Sequence, residues 1–377
     1  MDFQDTIRAL RPTLALCLVW LLSSAPSPAG PFTSLHAFGD GVCTTNGNMS
    51  SGLPYYQTGG SQRFCNGRVW IEVLATWQGL PYVEANNQSY FGHDSSDLIT
   101  NVNAFSAPPD VATALFIVWT NDADLVGYLN SGESPPPYDD SDLPLWTAFI
   151  NQAVSDHETA ITTLYNKGVR TIVLPDAVDI GAVPQYAYFG ASSKAFIRQR
   201  VIEFNAALKI AASNLVALHP GLTIHQPDAF SFLDDVIAQP ANYGLTVANI
   251  DAISDLYNPS PLEPTLDGPG ANYVFWDNVH PSAKVQMHLA ALVQQQICPV
   301  TITGLSLSGG NTHLTLANIP LARAGCVEGR HGPAPWLPDT TILEPFATGD
   351  PNATITFPTP TPNRLQRATF PVNWVWP

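Results

Sequence analysis

The sequence predicts an α/β fold, a parallel sheet with helices on both faces, followed by a small β-rich module. Three observations carry this. Short apolar runs, little broken by polar residues, alternate with stretches of helical periodicity. The alternation stops at Cys298-Pro299. Beyond that point come short segments of alternating polarity, punctuated by Gly, Pro, Asn and Asp.

The elements follow in order. Arg8 and Arg11 precede an apolar run from Leu14 to Leu22, and Ser27-Pro28-Ala29 offers small residues for cleavage, so residues 1–29 read as an export signal. The run is too short for a bilayer core, which needs about 20 apolar residues, and no later segment reads as a membrane span. The expected location is therefore outside the cytoplasm, extracellular or periplasmic. Strands are expected at Leu35–Phe38, Ala114–Trp119, Thr171–Leu174 and Leu222–His225. Such continuous apolar runs suit strands buried on both faces of a parallel sheet. Between them, Val69, Val73, Leu74 and Trp77 recur at helical spacing. So do Phe149, Ile150, Val154, Ile161 and Leu164, and again Phe196, Ile197, Val201, Phe204 and Leu208. A last helix is expected over Ala283–Ile297, with Ser282 placed to cap it. This sets one domain at 30–298 and a β-sandwich-like module at 299–377, with strands near Thr301–Thr303, Thr312–Leu316 and Thr354–Phe357. Trp336, Trp374 and Trp376 in that module serve either to stack on sugars or as core aromatics.

Composition narrows the partners. A formal net charge of -16 opposes nucleic acid, whose phosphates need a cationic face, and disfavours acidic polysaccharides and anionic membrane surfaces. Neutral and cationic ligands remain open. Cys17 would leave with the signal, so Cys43, Cys65, Cys298 and Cys326 stay. The sequence-local pairing is Cys43–Cys65 with Cys298–Cys326, and four unpaired thiols are the equal alternative. Their spacing does not suit a metal site, and no cofactor or metal is expected.

The chemistry is concentrated at Asp277-Asn278-Val279-His280-Pro281. A carboxylate three residues before a histidine, in a tight loop, can accept from one ring nitrogen and fix the tautomer while the other nitrogen faces a substrate. The same spacing also suits an aspartate that only caps the following helix. Other segments favour the first reading. Phe38-Gly39-Asp40-Gly41, Arg63-Phe64-Cys65-Asn66-Gly67-Arg68, Asn87-Gln88-Ser89-Tyr90-Phe91-Gly92, Trp119-Thr120-Asn121-Asp122 and Asp277 to Pro281 follow one another through residues 34–297. In this order they resemble the signature blocks of the SGNH hydrolases, or GDSL-type lipases and esterases, with the R-F-S-N-G-R pattern of the plant-type branch.

The resemblance implies a three-layer α/β/α sandwich of flavodoxin-like type and hydrolysis of carboxylic esters, with a small acyl ester, a lipid or an acylated carbohydrate as partner. By resemblance Asp277 and His280 form the catalytic dyad, while Gly41 and Gly92 through their N–H groups, and Asn121 through its amide, form the oxyanion hole. Donors of this kind are worth about 3–4 kcal/mol each in the transition state. Two positions depart from the pattern. Trp119 replaces a glycine, and Gly41 stands where the family has its nucleophilic serine. Glycine keeps the N–H but has no oxygen. Loss of the nucleophile in a comparable serine hydrolase costs about 10⁶ in kcat, so the acyl-enzyme route is expected to be closed. Cys43, Thr44 and Thr45 should aim away from the turn, which leaves a water activated by His280, or a non-catalytic binder of an acylated ligand, as the alternatives.

Overall fold

The structure is a computed structural model. It describes residues 31–46, 53–58, 61–132, 136–257, 259–261, 266–320, 326–331, 337–341, 352–358 and 364–369. The expected signal at 1–29 and Trp336, Trp374 and Trp376 lie outside these residues.

Strand β1 (Leu35–Gly39) is buried throughout. A short hairpin of β2 (Gln57–Thr58) and β3 (Ser61–Gln62) precedes helix α1 (Trp70–Trp77) and helix α2 (Ser95–Ala104). Next come β4 (Leu115–Trp119), α3 (Asn121–Ser131), α4 (Leu143–Asn166), β5 (Thr171–Val173), α5 (Ala191–Leu218) and β6 (Thr223–His225). Then α6 (Ala229–Ala238), β7 (Val247–Asp251), α7 (Ala252–Leu256), β8 (Tyr273–Phe275) and α8 (Ala283–Ile297) complete the α/β part. The four expected strands and the four expected helices all form, and α8 spans the residues read from the sequence.

The main sheet has the order β1-β4-β5-β6 and is parallel, with Leu35 opposite Leu115 and Gly39 opposite Trp119. Its two faces carry separate cores. Phe38, Phe116, Val118 and Ile172 join Trp146 and Ile161 of α4 and Val201 and Phe204 of α5 on one face. Ala37, Leu115, Ile117 and Val173 join Trp70 and Leu74 of α1 and Met287 and Ala290 of α8 on the other. Neighbouring residues of one strand thus enter opposite cores, which is why the runs carry no polar alternation. Two buried faces make the three layers. The free edge of β1 is covered by the 87–91 segment, where Gln88 N–H donates to Ala37 O at 2.8 Å and Tyr90 N–H to Gly39 O at 3.2 Å.

Three expectations need correction. Cys43, Cys65 and Cys298 form no disulfide, so neither expected bridge is made, and the alternative without disulfides holds for these three. Each sits buried as a small apolar side chain in the core under α1 and α8. Second, α5 is long and apolar enough, by length and composition, to cross a membrane. Here Ile197, Val201, Phe204, Leu208 and Leu215 pack it onto the sheet as an outer-layer helix. Third, Ser282 takes the N-cap position of α8 but its hydroxyl caps nothing; Asn66 Oδ1 instead accepts the N–H of Ala283 at 2.8 Å. After α8 the described residues form two three-stranded antiparallel sheets. These are β9 (Thr301–Ser308), β10 (Asn311–Ala317) and β13 (Ala353–Pro358), and β11 (Cys326–His331), β12 (Leu337–Thr341) and β14 (Arg364–Thr369). Thr312, Leu314 and Leu316 alternate inward along β10.

Candidate active site

β1 ends at Gly39 and the chain turns at once, so residue 41 stands at the carboxyl end of the sheet, where open α/β sheets bind ligands. Asp40 N–H donates to Trp119 O at 2.9 Å, and Cys43 N–H donates to Asp40 O at 3.1 Å. The Asp40 carboxylate accepts from Val42 N–H at 3.0 Å and so caps its own turn. Cys43 is no substitute nucleophile. Its thiol is buried against Gly39, with burial and the nearby Asp40 charge pushing its pKa well up. Thr44 Oγ1 donates to Ser89 O at 2.9 Å, and Thr45 Oγ1 donates to Glu84 at 2.6 Å, so both hydroxyls are engaged elsewhere.

Asp277 and His280 occupy a loop folded back on β8, with Trp276 N–H donating to His280 O at 2.8 Å and Ser282 N–H to Val274 O at 2.9 Å. The carboxylate is fully engaged. Oδ1 accepts from the N–H groups of His280 at 2.6 Å and Val279 at 2.9 Å, while Oδ2 lies 2.8 Å from His280 Nδ1. Oδ2 also accepts from the Tyr55 hydroxyl at 2.7 Å. Phe64 stacks on the imidazole, centroids 4.9 Å apart at 14°, and Phe91 tilts against it at 5.7 Å. Burial opposes the charge on His280, but Asp277, by charge and hydrogen bond, and then Asp40 outweigh it and raise its pKa. Asp277 shows the converse. Burial works against its ionisation, yet the imidazolium and the two backbone donors hold its pKa below the usual carboxylate value.

The imidazole lies against the turn at residue 41. A Cβ built on Gly41 would lie 2.1 Å from His280 Nε2, 3.0 Å from Cδ2 and 3.2 Å from Cε1. The tip of the ring therefore points straight at the Gly41 backbone and fills the space of a residue-41 side chain. The base nitrogen is thus aimed at the place where a residue-41 side chain would start. Without a Cβ to hold it away, the buried ring closes onto the main chain.

Gly92 has φ +79°, the left-handed region that favours glycine, and it lines the same cavity as Gly41 and His280. The N–H groups of Gly41 and Gly92 donate to no acceptor among the described residues. Asn121 is placed differently. Its side chain is fully buried, its amide donates to Pro175 O at 2.9 Å, and the cavity wall at this point is made by Trp119, Asp122 and Ala123. One of its two amide N–H groups is thus committed to the loop after β5.

That space is a cavity of about 240 Å³ with a mainly hydrocarbon wall, including Val126, Ile180, Val183, Phe232, Leu233 and Val285. At its polar end, burial raises Asp40 to about 6, opposed by Val42 N–H and His280. Burial and the Asp40 charge push Asp122 well up; Asp124, outside the cavity lining and bonded to Ser95, is raised by burial to about 7. Sequence reasoning missed Tyr55, 222 positions from its partner, and the inward turn of Asp122. It quoted Phe64 and Asn66 within a motif without their roles, which are to stack on His280 and to cap the following helix.

Comparison with known proteins adds the following. The profile of the GDSL-like lipase/acylhydrolase family matches residues 35–293. The chain is 25% identical over 325 residues to the GDSL esterase/lipase EXL3 of Arabidopsis thaliana, covering 68% of this chain and 85% of the relative. It is likewise 25% identical over 329 residues to GDSL esterase/lipase 7 of the same plant, covering 70% and 88%. Among solved structures, a catalytic mutant of the acetylxylan esterase Axe2 from Geobacillus stearothermophilus matches at 15% identity and TM-score 0.40, covering 71% of this chain and 95% of that one. A phospholipase A1 from Streptomyces albidoflavus matches at 13% identity and TM-score 0.38, covering 70% and 99%.

Proposed function

The chain belongs to the GDSL-like lipase/acylhydrolase family, a family of ester hydrolases, and from this premise we propose that it binds an acylated ligand without turning it over. The reading rests on one observation, that His280 Nε2 sits 2.1 Å from where a residue-41 Cβ would stand. A serine route needs an oxygen between base and carbonyl carbon, and Gly41 supplies none. A water route needs room for a water at the same place, and the ring takes that room. What survives is the binding half of the machine: the apolar cavity and the free N–H groups of Gly41 and Gly92. The ligand is a small acyl ester, a lipid or an acylated carbohydrate, met outside the cytoplasm; the Leu14–Leu22 apolar run behind Arg8 and Arg11 supports that location.

The intact hydrogen bond between Asp277 and His280 favours a second reading, residual hydrolysis through a water activated by the imidazole. Assay with p-nitrophenyl acetate and butyrate separates the two. We expect no turnover above background, and no change on His280→Ala. Turnover that disappears in His280→Ala would establish the hydrolase reading instead.

A further inference from the structure

A second cleft lies along the β1 edge of the sheet, between the helical turn Glu84–Asn86 and the end of α2. Its volume of about 350 Å³ falls within the range of small-molecule sites, and no residue lines both it and the cavity at Gly41. His36, Asn86, Gln88, Asn101, Phe105 and Ser106 form most of its wall. None of the described residues that line it carries a charge at neutral pH.

His36 sets what the cleft can bind. The residue is 5% exposed, stacked on Phe116 at 4.9 Å, with Phe105 edge-on at 5.7 Å. Ser34 Oγ donates to Asp110 at 2.8 Å, so toward His36 Nε2, 3.4 Å away, that oxygen can only accept. The ring proton therefore sits on Nε2. Burial outweighs the nearby Asp110 charge and lowers the pKa, which keeps the imidazole neutral. Nδ1 is left as a bare acceptor, with no donor among the described residues, on a ring that lines the cleft. Such an acceptor is costly to bury unsatisfied, and a ligand that brings a donor removes the cost.

The rest of the wall is of the same kind. Gln88 Nε2 donates to Ala85 O at 3.1 Å, which leaves Oε1 as a second acceptor. The Asn86 side chain, with an amide donor and an acceptor, makes no hydrogen bond among the described residues. Asn101 Nδ2 donates to His93 Nε2 at 3.0 Å, and His93 Nδ1–H donates to Gly39 O at 2.9 Å, so this side of the cleft is fixed to β1 before any ligand arrives. Phe105 adds apolar surface. An uncharged, acceptor-rich cleft suits a neutral molecule that brings several donors in a small space, and vicinal hydroxyls do so. A peptide brings one backbone N–H per residue, and an anion would meet a chain of net charge -16.

We propose that this cleft binds a neutral sugar, with one ring hydroxyl donating to His36 Nδ1, its neighbours meeting Asn86 and Gln88, and the C–H face against Phe105. The site uses none of the residues of the Gly41 cavity and does not depend on how that cavity is read.

NMR titration of the full chain at pH 7, following the His36 ring nitrogens, tests it. The probes are methyl β-glucoside, methyl β-galactoside and methyl β-xyloside, with glucuronate and N-acetylglycinamide as controls. At least one glycoside should bind saturably, move the Nδ1 signal, and bind at least about fivefold more tightly than either control. His36→Phe keeps the stack on Phe116 and removes the acceptor, and it should weaken that glycoside about tenfold. Asn86→Ala, on a half-buried turn, gives the same comparison if the first variant fails to fold. Absence of binding by all three glycosides, a control that binds as tightly, or affinity unchanged in the folded variant would overturn the proposal. None of these results bears on the Gly41 cavity, which the p-nitrophenyl ester assay reads separately.

Discussion

Gly41→Ser places an oxygen back at the turn and, with it, a Cβ where His280 now sits. The built Cβ lies 2.1 Å from Nε2, and since non-bonded heavy atoms settle near 3.5 Å, the ring must withdraw by about 1.4 Å. It withdraws against the Asp277 hydrogen bond at 2.8 Å and the Phe64 stack, so the variant should lose about 1–3 kcal/mol of stability, as overpacked cores do. The retreat leaves Nε2 within hydrogen-bond reach of the new hydroxyl. Loss of a nucleophile costs about 10⁶ in kcat in a comparable enzyme. Asn121 has one amide N–H held by Pro175 O, and if that weakens its part in the oxyanion hole the deficit is about 10²–10³. The variant should therefore hydrolyse p-nitrophenyl butyrate about 10³–10⁴ times faster than the parent and become labelled by a fluorophosphonate probe. A folded Gly41→Ser protein that is neither labelled nor active would refute the reasoning, because the site would then have decayed beyond residue 41.

The other predictions concern the supports of the site. In NMR titration His280 should show a pKa above 6.5, and Asp277→Asn should bring it below 6.5, because burial is then opposed only by the smaller effect of the Asp40 charge. Tyr55→Phe should cost about 1–3 kcal/mol in denaturant unfolding, since it removes a donor to a buried carboxylate. Stability should fall as pH rises from 5 to 8. Asp124, raised to about 7, binds its proton more tightly folded than unfolded, so the folded state loses support as pH climbs from its ordinary value through 7. The shift corresponds to roughly 4 kcal/mol, and Asp124→Asn should flatten the slope of Tm against pH. His280, also raised, acts in the same direction: its contribution is complete below 6.5 and is lost as pH passes its folded value.

Much of this molecule is legible in one dimension because its determinants are local. Apolar runs such as Leu115–Trp119 declare strands buried on both sides, and helical spacing declares α4, α5 and α8. The Asp277–His280 pair is readable because three residues in a tight loop bring a carboxylate to Nδ1 with no help from elsewhere. The glycine at 41 is plain in the sequence as well, and so is the consequence that no hydroxyl can attack there. What needed three dimensions was every contact between distant segments. Tyr55 meets Asp277, and Asn66 caps α8, across more than 200 residues. Cys43 and Cys65 pack as separate thiols, because pairing depends on where folding leaves the two sulfurs and not on the 21 positions between them. Asn121 and Asp122 are adjacent in the chain yet face different ways, because the start of α3 turns successive side chains by about 100° and only packing decides which one looks into the cavity. The same holds for His280, whose ring rests against the Gly41 backbone because close-packed surroundings leave no empty space beside a missing side chain.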